Sequence, residues 1–146
     1  MRIVVRAPSD ALLLLHIGAF LALAPALLRR GELRTALAAL RHTRRGLLRV
    51  PRAPYESVCR IRGLWLRQRC FASRNTCYAR ALTLFRFLDA PDGAVGIHFG
   101  IERRRQGEER LRGHAWVTLH EHLLEGHEAL HEGVIEEIPI FQKAPP

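Results

Sequence analysis

The apolar pattern of the chain changes its period once, after Gly93, and this change narrows the folds open to it. Before Gly93, apolar residues recur three and four positions apart, as amphipathic helices require. In residues 95–101, apolar side chains instead alternate with small or polar ones, which is typical of a strand buried on one face. The sequence therefore predicts an α+β protein with N-terminal helices followed by a small antiparallel sheet.

The same patterns predict four helices and up to four strands. Helices are predicted over residues 11–28, 32–45, 55–69 and from 77 to a stop at 91, and strands over residues 95–101, 114–119, 123–125 and 133–141. Pro25 is expected to kink or end the first helix, and Asn75 or Thr76 to cap the fourth. A chain of 146 residues suits a single domain, with residues 1–53 as a helical region packed on a core of residues 54–146.

Composition limits both the partners and the compartment. The formal net charge is +9, but the aromatic residues are few and are not interleaved with the arginines, so binding to nucleic acid is not supported. Cys59, Cys70 and Cys77 form neither an even set nor a CxxC pair, which argues against a thioredoxin-like or zinc-ribbon protein. Free thiols favour a reducing compartment, here the cytoplasm, and no cofactor is expected.

Residues 11–28 raise the question of a membrane. They are almost wholly apolar, are flanked by arginines on both sides and are just long enough to span a bilayer. A secretory signal is disfavoured because residues 22–24 fit a cleavage site poorly and free thiols argue against export. The pattern favours a buried or membrane-surface helix over a span, and peripheral contact with a membrane stays open.

Cys77 and His114 have the local settings that a thiol nucleophile and its base require. Cys77 opens the fourth helix, where unpaired N–H groups favour the negative thiolate. His114 opens a strand and can accept the thiol proton. A cysteine at a helix start, a histidine on a strand and an acid beyond it form the arrangement of cysteine proteases and transglutaminases. Cys59 and Cys70 are expected to pack without taking part in chemistry.

An acidic side chain should accept the second N–H of the His114 imidazole and hold the required tautomer. Glu125 lies at the end of the strand predicted to pair with the His114 strand, and it is the predicted third member of a triad. Glu128 is the reserve candidate, and Glu121, in the turn between the strands, is less favoured.

Residues 127–131 read His-Glu-Ala-Leu-His, which is the HExxH pattern of zinc peptidases. Gly126 and Gly133 leave only about two turns of helix around this segment, and few residues remain for a third ligand. A zinc-dependent peptidase and a non-enzymatic basic adaptor at a membrane are the two alternatives to a thiol peptidase. Surface or loop positions are predicted for the other histidines of this half of the chain, His98, His120 and His122.

Three segments together resemble one family, the B2 proteins of lasso-peptide biosynthesis. The resemblance is carried, in chain order, by residues 75–82 (Asn-Thr-Cys-Tyr-Ala-Arg-Ala-Leu), 95–101 (Val-Gly-Ile-His-Phe-Gly-Ile) and 113–117 (Gly-His-Ala-Trp-Val). B2 proteins are leader peptidases with a transglutaminase-like, papain-related fold, and the resemblance implies the same fold here. The resemblance extends over residues 54–128. The chain departs from the family at Thr118, where an acid is common, and no aspartate follows Asp92 to complete a Cys-His-Asp triad.

The resemblance implies a defined reaction. Cys77 would attack the peptide bond between leader and core of a ribosomally made precursor peptide, and His114 would take the thiol proton and later protonate the leaving amine. The backbone N–H of Cys77 would help to hold the oxyanion. The resemblance also implies two partner proteins: a separate small leader-binding protein of the B1 type, and a cyclase of the asparagine-synthetase type that closes a ring on the freed amine.

Overall fold

The computed structural model describes residues 8–30, 37, 50–74, 76–91, 93–102, 113–125 and 135–138. Within them, helices occupy the first part of the chain and an antiparallel sheet the second, so the predicted α+β class is confirmed. The chain divides into two compact units, a helical unit (Met1–Asp89) and a sheet unit (Ala90–Pro146). The boundary predicted between residues 53 and 54 stays a prediction.

Three α-helices and one short 3-10 helix are described in the helical unit. They are α1 (Pro8–Arg30), α2 (Tyr55–Leu66), the 3-10 helix (Arg69–Arg74) and α3 (Cys77–Phe87). The helices predicted over residues 11–28, 55–69 and from 77 onwards are therefore present, whereas the helix predicted over residues 32–45 lies outside the described residues except at Leu37, which is helical and buried. Helix α1 continues past Pro25 to Arg30, so the proline does not end it.

Helix α1 packs on α2 at a point where the two backbones come close. The indole N–H of Trp65 donates a hydrogen bond of 2.8 Å to the carbonyl of Leu14. The same ring lies against Gly18, where an added Cβ would stand 2.5 Å from Trp65 Cζ2, so only a glycine leaves room for the indole. Asp10 and Arg60 form an ion pair of 3.0 Å between the two helices. These contacts fix the register of α1 against α2.

Helix α3 is the most deeply buried of the three described α-helices. Its apolar side chains from Ala81 to Phe87 are nearly inaccessible to water, and Leu84 is fully buried. Phe87 meets Phe20 of α1 edge to face, with ring centroids 5.6 Å apart. Buried Arg62 of α2 donates a hydrogen bond of 3.1 Å to the carbonyl of Arg80. Contacts from both other helices therefore hold α3 in place.

The sheet unit contains four antiparallel strands in the order β3-β2-β1-β4. The strands are β1 (Val95–Glu102), β2 (Gly113–Leu119), β3 (His122–Glu125) and β4 (Ile135–Ile138). All four strands predicted from the sequence are thus present. A two-residue turn joins β2 to β3, and its residues His120 and Glu121 have φ values of 49° and 68°. Two consecutive left-handed residues match the twist of a tight hairpin.

The register of β1 against β2 gives the sheet two chemically different faces. On one face the side chains are aliphatic or aromatic and buried, and they belong to Val95, Ile97, Phe99, Ala115 and Val117. On the other face, cross-strand pairs join Gly96 to Thr118, His98 to Trp116 and Gly100 to His114. Since side chains alternate along a strand, these six positions share one face. This second face carries the side chains of His98, His114, Trp116 and Thr118 and is called the histidine face.

Candidate active site

Cys77 is the first residue of α3, and its side chain is half-buried. Thr76 precedes it in an extended conformation, and the Thr76 hydroxyl accepts a hydrogen bond of 3.2 Å from the backbone N–H of Ala79. The predicted cap is therefore confirmed at Thr76, while Asn75 lies outside the described residues. The free N–H groups of a helix start carry a partial positive charge, which favours an anion at this position.

The pKa of Tyr78, the residue after Cys77, is affected by its position in the first turn of α3. Burial raises the pKa of the Tyr78 hydroxyl above its usual value of 10.0, and negative charge on Cys77 raises the pKa further. The phenol therefore stays neutral at physiological pH and adds no negative charge beside the thiol. The first turn of α3 thus carries a thiol next to an uncharged hydroxyl.

The other two cysteines occupy different settings. All three are free thiols. Cys59 is half-buried on α2, with its sulfur 3.7 Å from the guanidinium of Arg62, and Cys70 is exposed on the 3-10 helix. Neither stands at the start of a long helix, so Cys77 alone among the three has the setting of a nucleophile.

Loss of the Thr76 cap should weaken α3 at the end that carries Cys77. We expect Thr76→Ala to lower the free energy of unfolding by about 1 kcal/mol, because the N–H of Ala79 loses its partner. Urea denaturation followed by circular dichroism measures the change. Ser73→Ala, at an exposed serine of the 3-10 helix, is the matched control and should stay within about 0.5 kcal/mol of the wild type. Equal losses in the two variants would contradict the capping role.

His114 is the second residue of β2 and is half-buried on the histidine face. Its imidazole stacks on the indole of Trp116, with ring centroids 6.2 Å apart and planes inclined by 20°. The residue directly across from His114 on β1 is Gly100, which offers no side chain. His114, the predicted base, therefore lies on a strand, and Trp116 is its aromatic neighbour two residues away on the same face.

The predicted acids are spread along the β2–β3 hairpin and beyond it. Glu125 is the last residue of β3 and pairs with Val117, because a bulge shifts the register between Val117 and Thr118. Val117 lies three residues along β2 from His114, a distance of roughly 10 Å, so the pairing does not set Glu125 directly across from the histidine. Glu121 is exposed in the turn. Glu128 lies outside the described residues, and the identity of the third member stays a prediction.

The residues of the HExxH segment, 127–131, lie outside the described residues. Among the residues that are described, no group of three or more His, Cys, Asp or Glu side chains is placed to hold a metal ion.

One histidine of the site lies in a different setting from the one predicted. His98, predicted to be a surface or loop residue, is half-buried in β1 and stacks on Trp116. His120 and His122 are exposed, as predicted. The alternation in residues 95–101 already placed His98 opposite the apolar face, but its pairing with Trp116 depends on the register between two strands, which alternation does not supply.

Cys77 lies in the helical unit, and His114 lies in the sheet unit. In a comparison with known proteins, the family model of the transglutaminase-like superfamily matches residues 11–135, a range that includes both residues. No curated protein and no solved structure gives a significant match. The family match covers the helices with Cys77 and the strands with His114, and it indicates a thiol-dependent peptidase or transglutaminase activity. Among the described segments, no helix has both the length and the apolar character needed to cross a bilayer.

Proposed function

Since the chain belongs to the transglutaminase-like superfamily, we propose that it is a cysteine peptidase that removes the leader from a lasso precursor peptide. The observation that carries the proposal is the half-buried thiol of Cys77 at the capped start of α3. The N–H groups of a helix start favour a negative charge, and a thiolate is the form of cysteine that attacks a carbonyl carbon.

The proposed reaction has two halves. The Cys77 thiolate attacks the carbonyl carbon of the bond between leader and core, and the resulting oxyanion accepts a hydrogen bond from the backbone N–H of Cys77. His114, having taken the thiol proton, gives it to the departing amine of the core peptide, which leaves the leader bound as a thioester. Water, deprotonated by His114, then attacks the thioester, and the thiol and the leader carboxylate are released. Glu125, with Glu128 in reserve, is proposed to orient the imidazole.

The choice of a leader peptide as substrate rests on the resemblance of residues 75–82, 95–101 and 113–117 to B2 proteins. The same resemblance supports a separate leader-binding protein of the B1 type as partner, since B2 proteins lack that module. It also supports a cytoplasmic reaction followed by a cyclase of the asparagine-synthetase type. Thr118 stands where B2 proteins commonly have an acid, directly after His-Ala-Trp-Val.

The proposal is tested by incubating the chain with a precursor peptide and its leader-binding protein and following the products by mass spectrometry. A peptidase releases one leader fragment and one core with a free amine. A transglutaminase instead attaches an added amine, such as a labelled cadaverine, to a glutamine side chain. Incorporation of the amine without cleavage of the precursor would reject the peptidase in favour of acyl transfer.

An exposed apolar stripe on α1 favours a second candidate function, peripheral binding to an anionic membrane. Leu12, Leu15 and Leu23 are 48%, 67% and 60% exposed, and Ala19 and Ala26 lie exposed between and beyond them. These positions follow helical spacing, so they form one stripe along α1. A stripe of exposed leucines is the kind of surface that enters the boundary between headgroups and acyl chains.

The positive charge of the chain is concentrated in the helical unit, which also carries the exposed leucines. Residues 1–89 contain seventeen arginines, no lysine and four acids, a formal net charge of +13, whereas residues 90–146 contain six basic and ten acidic residues, a net charge of −4. The only acid on α1, Asp10, is largely buried and paired with Arg60, so it does not repel a phosphate headgroup. The unit that carries the stripe is therefore the cationic one, and juxtaposed cations strengthen binding to anionic lipid.

Flotation with lipid vesicles tests this candidate. We expect the full chain to float with vesicles that contain phosphatidylglycerol and to remain below vesicles of phosphatidylcholine alone, because the latter lack negative charge. The variant with Leu12, Leu15 and Leu23 all changed to serine should bind at least about tenfold more weakly, since three partly exposed leucines lose their transfer free energy.

The matched control is Leu123→Ser, which changes an exposed leucine of the sheet unit and should leave vesicle binding unchanged. Equal binding by the triple variant and the wild type would contradict the candidate. A wild-type dimer that dissociates in the triple variant, with no binding to vesicles, would assign the stripe to self-association and would also contradict it. Vesicle binding does not require Cys77, so this result is independent of the peptidase assay.

A further inference from the structure

Three aromatic rings stand in a row on the histidine face. His98 stacks on Trp116 with ring centroids 5.5 Å apart and planes inclined by only 7°. His114 stacks on the same indole at 6.2 Å and 20°. The row follows from the register, because His98 pairs directly with Trp116 and His114 lies two residues before Trp116 on the same strand. Offset parallel rings at these distances attract one another beyond the burial of their surface.

The His98 ring is held in place by more than the stack. Its Nε2 shares a hydrogen bond of 3.0 Å with the Thr118 hydroxyl, on the far side of the row from His114. Both groups lie above Gly96, where an added Cβ would stand 2.5 Å from Thr118 Oγ1 and 3.0 Å from His98 Nε2. The absence of a side chain at Gly96 is therefore what lets the ring and the hydroxyl meet. A ring with one hydrogen bond and one stacking partner has little freedom about its side-chain torsions.

Trp116 contacts both His98 and His114, so it links the position of one ring to that of the other. The indole is buried, at 7% exposure, and lies between the two imidazoles along the row. Gly100, across from His114, supplies no side chain that could hold the imidazole from β1. The face of Trp116 is a surface against which the His114 ring rests.

We propose that His98 is a positioning residue: by packing on Trp116 and bonding to Thr118, it fixes the indole against which the His114 imidazole is aligned. The inference rests on the proposed function, in which His114 is the base. It also accounts for Thr118, where this chain lacks the acid of its relatives, because the Thr118 hydroxyl is the group that binds His98. His98 is not itself proposed as a base, since its Nε2 already bonds to Thr118.

A base that has lost its alignment transfers protons more slowly without binding the substrate less well. Displacements of about 1 Å at a reacting group can cost up to about a hundredfold in rate. We therefore expect His98→Ala to lower kcat about tenfold while KM stays within about twofold. His98→Phe keeps an aromatic ring on Trp116, and its kcat should remain within about threefold of the wild-type value.

Two further variants sharpen the test. Gly96→Ala leaves all three rings present but places a methyl group 3.0 Å from His98 Nε2, which displaces the His98 ring from Trp116, so it should reproduce the loss seen in His98→Ala. If His98→Ala does not fold, Gly96→Ala tests the same contact in its place. His122→Ala removes an exposed histidine of β3 and should change neither kcat nor KM.

Nuclear magnetic resonance of the imidazole ring protons gives a readout that needs no substrate. Ring currents of Trp116 act on the His114 protons, so their chemical shifts report the stacking geometry. The shifts should move in His98→Ala and Gly96→Ala and stay close to wild type in His98→Phe and His122→Ala. Unchanged His114 shifts and unchanged kcat in a folded His98→Ala or Gly96→Ala protein would overturn the proposal, and so would a loss in His98→Phe as large as in His98→Ala.

The outcome is separable from that of the proposed function. If the wild-type chain cleaves no precursor peptide, the peptidase proposal fails, and the His114 shifts still decide whether His98 positions the ring. If cleavage occurs and the shifts do not respond to His98, only the positioning role is lost.

Discussion

Cys77→Ala is expected to abolish cleavage of the precursor peptide, with a loss of at least about a thousandfold in rate. The reason is chemical: no other described thiol stands at the start of a long helix, and alanine cannot form the thioester. The side chain is half-buried and the cap comes from Thr76, so the fold should survive the change. Cleavage is followed by mass spectrometry of leader and core, and folding by circular dichroism and the midpoint of thermal unfolding.

Cys70→Ala is the matched control for this experiment. It removes an exposed thiol from the same unit by the same chemical change, and we expect full activity. Running both variants with and without a chelator of divalent metals separates the zinc alternative, in which activity depends on metal and not on Cys77. Wild-type rates in Cys77→Ala would end the thiol mechanism, and equal losses in Cys77→Ala and Cys70→Ala would show that the assay reports general damage.

The class of the fold and the position of Cys77 at a helix start were predictable from local pattern. Helical spacing in α3 and alternation in β1 are each set by the few residues around them, and the Thr76 cap depends on a bond to Ala79 three residues away. The sequence thus located Cys77 at a helix start and His114 at a strand start. The course of α1 through Pro25 was less predictable, because burial of the neighbouring Leu21 and Ala24 offsets the hydrogen bond that a proline removes.

The features that depend on register were not predictable. A bulge between Val117 and Thr118 sets the partner of Glu125, and alternation within a single strand does not reveal where a bulge falls. The stack of His98 on Trp116 likewise needs the pairing of two strands that are ten residues apart in the sequence. Long-range pairing is a property of tertiary packing, so a correct list of strands leaves it undetermined.

His114→Ala carries the second large expected effect, a loss of about a thousandfold in kcat/KM. Without the imidazole, the thiol has no base to take its proton and the leaving amine has no acid to supply one. A substrate-free assay measures the first of these roles: the rate at which iodoacetamide alkylates Cys77 at neutral pH, mapped by peptide mass spectrometry. That rate should fall in His114→Ala, because a paired imidazolium stabilises the thiolate.

The alkylation assay bears directly on whether the helical unit and the sheet unit cooperate. Cys77 belongs to one and His114 to the other, so a change at His114 alters thiol reactivity only if the two side chains are coupled in solution. His122→Ala, at an exposed histidine of the sheet unit, is the matched control and should leave both rates unchanged. Glu125→Gln and Glu128→Gln, assayed alongside, identify the orienting carboxylate as the one whose loss lowers cleavage. Wild-type alkylation and cleavage in a folded His114→Ala protein would refute the pairing of thiol and imidazole.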